Sequence, residues 1–301
     1  MLFIIFFYRN YIFSEHFHLI LGKQAFFMDK RYLLLILSQL FTFFTFATNS
    51  NATLGAVQSS LAGNDMFVQN VWAAHNNVAL LGNIDQLQAG VFYQNRFMLK
   101  QLGLKAFATA LPLKNSAFGL SYNTFGYSVY QENQLKLAYG MKLGEKVSAG
   151  VGLSWLNNQI NSEYAQKYNF IIPEMAVTFR VTKTLSVATS VFNPMMQKIK
   201  SSRYNERVPT IFKLGAQYKF SDKAILHTQI NKDLDFDASL KVGIEYLASE
   251  KINLYGGIAT TPTIAAFGVG YKVNNWNINF GASVHQQLGV TPSVGIIYRK
   301  K

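Results

Sequence analysis

The sequence predicts an all-β chain, a transmembrane antiparallel β-barrel of about 14 strands. Three observations carry this. Apolar and polar residues alternate strictly in segments of about ten residues, the length of a tilted strand crossing a bilayer. Very short connections recur at every second join between those segments. A short apolar leader precedes them.

The totals narrow the classes. Half of the 301 residues are hydrophobic, with 25 Phe, 16 Tyr and 21 Gly, yet mean hydropathy is only +0.10. A multi-span helical protein would carry several runs of about 20 apolar residues and be far more apolar. Aromatic and glycine usage of this kind suits strands and turns. There is no cysteine, which removes disulfide frameworks, thiol nucleophiles and thiolate metal sites. The formal charge is +13. Its Lys and Arg are spread singly on polar strand faces and connections, not gathered on a patch or helix, so no nucleic-acid partner is expected.

Residues 28–52 read as a signal peptide. Lys30 and Arg31 form a basic start, Tyr32 to Ala47 an apolar core, and Ser50-Asn51-Ala52 a small-residue cleavage site. The core is short for a membrane anchor, and polar residues follow it directly. Residues 1–27 stand before a segment that normally opens a chain. They read as a mis-annotated N-terminal extension, with translation starting at Met28; a second apolar segment with its own role is the alternative.

Strands are expected at 87–95, 101–111, 117–130, 134–143, 147–156, 171–181, 184–193, 211–220, 224–232, 238–247, 252–260, 264–273, 276–285 and 291–299. In the thirteenth, Trp276, Ile278, Phe280, Ala282 and Val284 alternate with Asn277, Asn279, Gly281, Ser283 and His285. Leu135, Leu137, Tyr139 and Met141 alternate with Lys136, Ala138 and Gly140, and Phe212, Leu214, Ala216 and Tyr218 with Lys213, Gly215 and Gln217. Such segments have two unlike faces. The third changes phase: Phe118, Leu120 and Tyr122 are even, whereas Phe125, Tyr127 and Val129 are odd. A one-residue slip reverses every side chain, so a wall bulge is expected at Asn123 and Thr124.

Tight turns are expected at Lys114-Asn115-Ser116, Gly144-Glu145-Lys146, Thr182-Lys183, Ser221-Asp222-Lys223, Ser249-Glu250-Lys251 and Asn274-Asn275, with longer loops at 157–170, 194–210 and 286–290. Short turns on one side and long loops on the other are the asymmetry of outer-membrane barrels. The prolines fall near strand ends or in connections. A soluble sandwich also alternates, but uniform strand length, this asymmetry and the leader weigh against it.

Residues 53–86 do not alternate. The pieces "GAVQSSLAG" and "NNVALL", between Gly55 and Leu81, resemble the start of FadL-type outer-membrane barrels and their Bacteroidetes relatives, including PorV-like proteins linked to type IX secretion. Val78 stands where proline is usual in the second motif. The resemblance implies that residues 53–86 plug the lumen of a barrel spanning 87–301, with Asp65, His75, Asn76 and Asn77 facing lumen polar groups; a strap under the barrel is the alternative. It also offers a parallel for the bulge, since an early strand in such barrels kinks to open the wall sideways.

No catalytic, metal or cofactor constellation emerges. Ser283 and His285 share a face without an identifiable third group, which argues against an enzyme. Asp233, Asp235 and Asp237 read as a solvated loop rather than a calcium site. Polar faces carry Lys136, Lys142, Arg180, Lys213, Lys219, Lys241 and Lys272 against Glu174 and Glu245. Facing inward, they would make a basic lumen that favours anions. Loop 194–210 adds Lys198, Lys200, Arg203 and Arg207 against Glu206, suited to contact with lipopolysaccharide or to gating. The candidate lumen and plug residues are therefore Asp65, His75, Asn76, Asn77, Lys213, Gln217, Lys241, Glu245 and His285. The expected protein is exported through the periplasm to the outer membrane, where it meets lipid and lipopolysaccharide. It passes a small hydrophobic or amphipathic ligand without a cofactor. The other reading is a non-transporting barrel that partners secretion-system proteins.

Overall fold

A computed structural model describes residues 52–161, 166–200 and 205–300. The expected extension at 1–27 and nearly all of the leader at 28–52 lie outside the described residues.

Fourteen strands close into one antiparallel barrel. They are β1 (Gln88–Asn95), β2 (Gly103–Pro112), β3 (Ser116–Gly126), β4 (Tyr130–Lys142), β5 (Val147–Ile160), β6 (Gln166–Arg180) and β7 (Leu185–Phe192), then, after a loop, β10 (Ile211–Lys219), β11 (Ala224–Asp233), β12 (Ser239–Ser249), β13 (Ile252–Ala259), β14 (Ile264–Val273), β15 (Trp276–His285) and β16 (Gly289–Arg299). Within the loop, β8 (Lys198–Lys200) and β9 (Asn205–Arg207) form a separate two-stranded hairpin where the sequence reads only as a connection. Each barrel strand pairs with its sequence neighbour, β7 pairs with β10, and β1 closes onto β16. Closure leaves no unpaired edge, which a lipid environment requires.

The alternation is read inside out. Leu137, Val151, Leu214, Phe267 and Phe280 project outward and are exposed, whereas Ser121, Lys136, Ser154, Glu174, Lys213 and Gln229 project inward and are buried. A soluble protein rarely shows so extensive an apolar surface. Aromatic pairs such as Trp276 with Tyr298, 4.9 Å apart, mark the turn-side rim, where an interfacial girdle belongs. Both ends of the barrel chain lie on this side, because Gln88 at the start of β1 faces Arg299 at the end of β16.

Two strand expectations need correction. No bulge exists at Asn123 and Thr124: β3 runs in unbroken register with β2 from Pro112↔Ala117 to Leu104↔Phe125, and with β4 as far as Gly126↔Gln131. The phase change has another cause. Phe125 faces inward, where the Arg96 guanidinium sits 5.0 Å above its ring, and Tyr127 and Val129 lie beyond the strand in the connection to β4. A sideways opening at this point has no support in the wall. Pro173 is also not terminal. It lies within β6, next to Glu174, where pairing with β7 ceases, so the first half of β6 pairs only with β5.

Residues 52–86 fill the lumen rather than strap its base. They form α1 (Ala56–Ser60), α2 (Ala73–Asn76) and a 3-10 turn at Val78–Asn83. Leu54, Leu61, Met66, Val71, Ala74, Val78 and Leu81 have no solvent exposure. Glycines let the segment approach the wall. In-register pairs Gly140↔Gly150, Gly243↔Gly257 and Gly268↔Gly281 join neighbouring strands. A Cβ at Gly140 or Gly150 would collide with the Val78 carbonyl, at Gly257 with the Leu61 backbone, and at Gly268 or Gly281 with the Ser60 side chain. The wall thus offers flat backbone saddles on two sides, and the plug sits between them.

Candidate functional site: the polar clamp on the plug

A helix-poor segment inside a barrel must find partners for the backbone groups that its short helices leave open. The wall provides these partners from long polar side chains. Lys213 on β10 donates from Nζ to Asp65 Oδ2 at 2.9 Å. Gln229 on β11 holds the same residue twice: its Oε1 accepts from the Asp65 backbone N–H at 2.9 Å and its Nε2 donates to Asp65 Oδ1 at 3.0 Å. That Oε1 also accepts from the Met66 N–H at 3.2 Å. Thr53 Oγ1 completes the carboxylate's shell at 3.1 Å. Burial alone would raise the Asp65 carboxyl, but Lys213 and Lys241 beside it hold it below its ordinary value.

Two more lysines act in the same way. Lys241 on β12 donates to the Gly63 carbonyl at 2.9 Å. Lys136 on β4 donates to the His75 carbonyl at 2.6 Å and to Glu174 on β6 at 2.5 Å. Lys136 and Glu174 are both buried, and such a pair is tolerated only when its remaining hydrogen-bonding positions are satisfied.

The plug also ties itself together. His75 Nε2 lies 3.0 Å from the Ala52 carbonyl, and Nδ1 lies 3.4 Å from Ser121 Oγ. A neutral ring fits this: Nε2–H donates to the carbonyl and Nδ1 accepts from the serine. Burial and the Lys136 charge push His75 down to about 3. Asn76 bridges both backbone groups of Leu54, accepting from its N–H at 3.0 Å and donating to its carbonyl at 2.7 Å. Asn77 donates to the Met66 carbonyl at 2.7 Å and caps the 3-10 turn through the Ala79 N–H at 3.2 Å. The neighbouring Val78 places its carbonyl over the Gly140–Gly150 saddle.

Six of the nine lumen candidates therefore converge on the plug: Asp65, His75, Asn76, Asn77, Lys213 and Lys241. Among the described residues the other three make no hydrogen bond to it. Gln217 lies in a turn-side cavity. Glu245 accepts from Asn253 at 3.1 Å and stands 3.7 Å from His227 Nε2. His285 sits at the loop end of β15, where Nδ1 accepts from the Gln287 and Leu288 N–H groups at 3.1 and 3.2 Å and the ring meets Phe97 edge-on. With Nδ1 so occupied, and with no hydrogen bond to Ser283 among the described residues, the pair has no triad geometry. Of the basic residues read as an open lining, Lys136, Lys213 and Lys241 are occupied as plug anchors. The basic side chains at 198–200 and 203–207 lie outside the described residues. The sequence reading missed Gln229 altogether. Its only signal was a long amide on the inward face of a mid-barrel strand.

No family model matches the sequence, and no curated protein matches it. Solved structures do. The toluene transporter TodX of Pseudomonas putida superposes with a TM-score of 0.61 at 11% identity, covering 83% of this chain and 99% of its own. A Pseudomonas aeruginosa FadL homologue superposes at 0.58 with 13% identity, covering 82% and 97%. The fold is that of the FadL-type barrels. At such low identity the likeness is one of architecture, and it reaches nearly the whole length of both neighbours.

Proposed function

We propose that this protein is an outer-membrane barrel through which small hydrophobic or amphipathic solutes pass when the lumen plug shifts. The observation that carries this reading is the manner of attachment. The plug is held by buried, geometry-dependent polar contacts from β4, β10, β11 and β12, rests on glycine saddles, and shares a buried apolar cluster with the wall, in which Trp72 meets Phe92 edge-on. The polar part of this attachment can exchange for water if the plug shifts. The architecture shared with a toluene transporter supports the solute class, as does the exposed apolar outer face for a membrane setting. In this reading 28–52 is the export leader. Residues 53–86 are the plug and 87–301 the barrel.

Nothing in the comparisons favours the secretion-partner reading, and the PorV-like resemblance rests on the Gly55–Leu81 motifs alone. Cells lacking the protein should take up a medium-chain amphiphile more slowly, and re-expression should restore the rate. Unchanged uptake together with an altered set of secreted proteins would replace transport with the secretion role.

A further inference from the structure

Cations gather at the turn-side ends of the strands. Lys142 on β4, Arg180 on β6, Lys219 on β10 and Lys272 on β14 each stand at or next to the last residue of a strand. All four are exposed. All four fall on the inward phase, in step with the buried Lys136, Thr178, Lys213 and Ala266. Their outward neighbours at the same level are Met141, Phe179, Tyr218 and Tyr271. Side chains alternate between faces along a strand, so the apolar set meets the membrane interface and the cations ring the mouth of the barrel. Arg180 and Lys219 also line a cavity of about 330 Å³ beside the plug, and so turn inward. The tight turns add Lys114, Lys146, Lys183, Lys223 and Lys251 against Glu145, Asp222 and Glu250. Among the described residues none of the four mouth cations is in an ion pair, unlike Lys136 and Lys213 deeper inside.

We infer that the turn-side mouth is a docking surface for an extended acidic segment of a periplasmic protein. The short turns of an outer-membrane barrel face the periplasm, and a ring of one sign of charge selects a partner of the other. Phase argues against a lipid headgroup, because the outward positions at this level are apolar and the cations point to the mouth. Spread argues against a single small anion. Lys142 on β4 and Lys219 on β10 are four strand spacings apart, about 19 Å at about 4.8 Å per step. One carboxylate reaches one of them. An extended chain of roughly six to ten residues, at about 3.3 Å each, passes several. Each exposed charge contact is weak alone, and one chain that carries several acids joins them. Arg180 offers the planar fork that matches a carboxylate. Ser148, Thr178, Ser186 and Gln217, just inside the mouth, offer hydrogen bonds to the backbone of such a chain. Docking does not require the plug to move, so it stands or falls apart from the transport reading.

The test uses the full barrel in nanodiscs of zwitterionic lipid, with empty nanodiscs as blank. The probe is a dye-labelled peptide of about twelve residues in which Glu and Ser alternate, followed by fluorescence anisotropy. It should bind saturably, and a Gln–Ser peptide of the same length should not. Lys142→Gln, Lys219→Gln and Lys272→Gln together should weaken the acidic peptide by at least about tenfold, and added salt should weaken it too. Lys100→Gln, Lys105→Gln and Lys167→Gln together remove the same charge at exposed positions toward the loop side and should change binding less than about twofold. Heat-dependent electrophoretic mobility checks that each variant is folded. An equal loss in the two triple variants would reduce the effect to net charge and overturn the surface. Displacement of the peptide by free glutamate at matched carboxylate concentration would make this a small-anion site and overturn the segment. Absence of peptide binding, with phosphatidylglycerol retained by the parent from mixed nanodiscs and lost from the mouth variant, would assign the cations to lipid and overturn the proposal.

Discussion

Lys213 Nζ stands 2.9 Å from Asp65 Oδ2, with the lysine 6% and the carboxylate 1% exposed. The two residues are 148 positions apart in the chain, one on the barrel wall and one on the plug. Removing one partner of a buried pair leaves the other charge without compensation, at about 3–5 kcal/mol. Asp65→Asn should therefore loosen the plug and raise the conductance of the barrel in planar bilayers. Combining it with Lys213→Gln should recover much of the closed state, because neither charge is then left alone. Conductance equal to the parent in Asp65→Asn would show that the pair does not hold the plug.

Gly140 and Gly150 face each other across β4 and β5 beneath the Val78 carbonyl. Gly150→Val should leave the barrel closed but lift the 3-10 turn from its saddle. Limited proteolysis of the reconstituted protein should then cut between residues 66 and 86 where the parent resists. Gly289→Ala meets no neighbouring atom, but its positive φ of 90° would cost about 1 kcal/mol locally without exposing the plug.

The pH dependence of plug seating follows from His75. Seated, its ring is pushed down to about 3, against 6.5 when free. Between these values the released plug binds more protons than the seated one, so acid favours release. The contribution is whole above pH 6.5 and is lost as pH falls toward 3. Asp65 acts in the same direction at lower pH. Its seated carboxyl lies below 3.8, so its contribution is present above that value and fades as pH drops further. Protection of the plug from proteolysis should weaken from pH 6.5 downward, and His75→Gln should flatten that part of the profile.

Leu214 projects outward from the middle of β10 and is 59% exposed. In a lipid-facing wall Leu214→Lys should cost about 2–4 kcal/mol of stability, measured by refolding into vesicles. In water the same exposed change would be nearly neutral. A near-zero effect in vesicles would place this face outside the hydrocarbon.

The barrel was legible because lipid and closure impose period 2 on every strand, and neither face can relax it. The expected segments at 264–273 and 276–285 match β14 and β15 residue for residue. Phase was less secure. Phe125 is apolar yet faces inward, since stacking under Arg96 satisfies it there, and alternation alone cannot tell an aromatic serving a buried cation from one serving lipid. The plug residues could be nominated because the Gly55–Leu81 motifs resemble the start of FadL-type barrels and the stretch lacks the period of the strands. Their partners could not. Gln229 and Lys136 look like any polar inward residue until the backbone of the plug lies beside them. The hairpin β8–β9 was invisible because its three-residue strands are too short to show a period.

The central claim is that solute passage requires the plug to leave its seat. The chain has no cysteine of its own, so a lock can be added cleanly. A Cβ at Gly243 would lie 3.1 Å from Leu61 Cβ, within a small shift of disulfide geometry. In the variant carrying Leu61→Cys and Gly243→Cys, uptake of a medium-chain amphiphile by cells should stop under oxidising conditions and return on reduction. Equal uptake in both states, with the disulfide shown to have formed, would contradict the account.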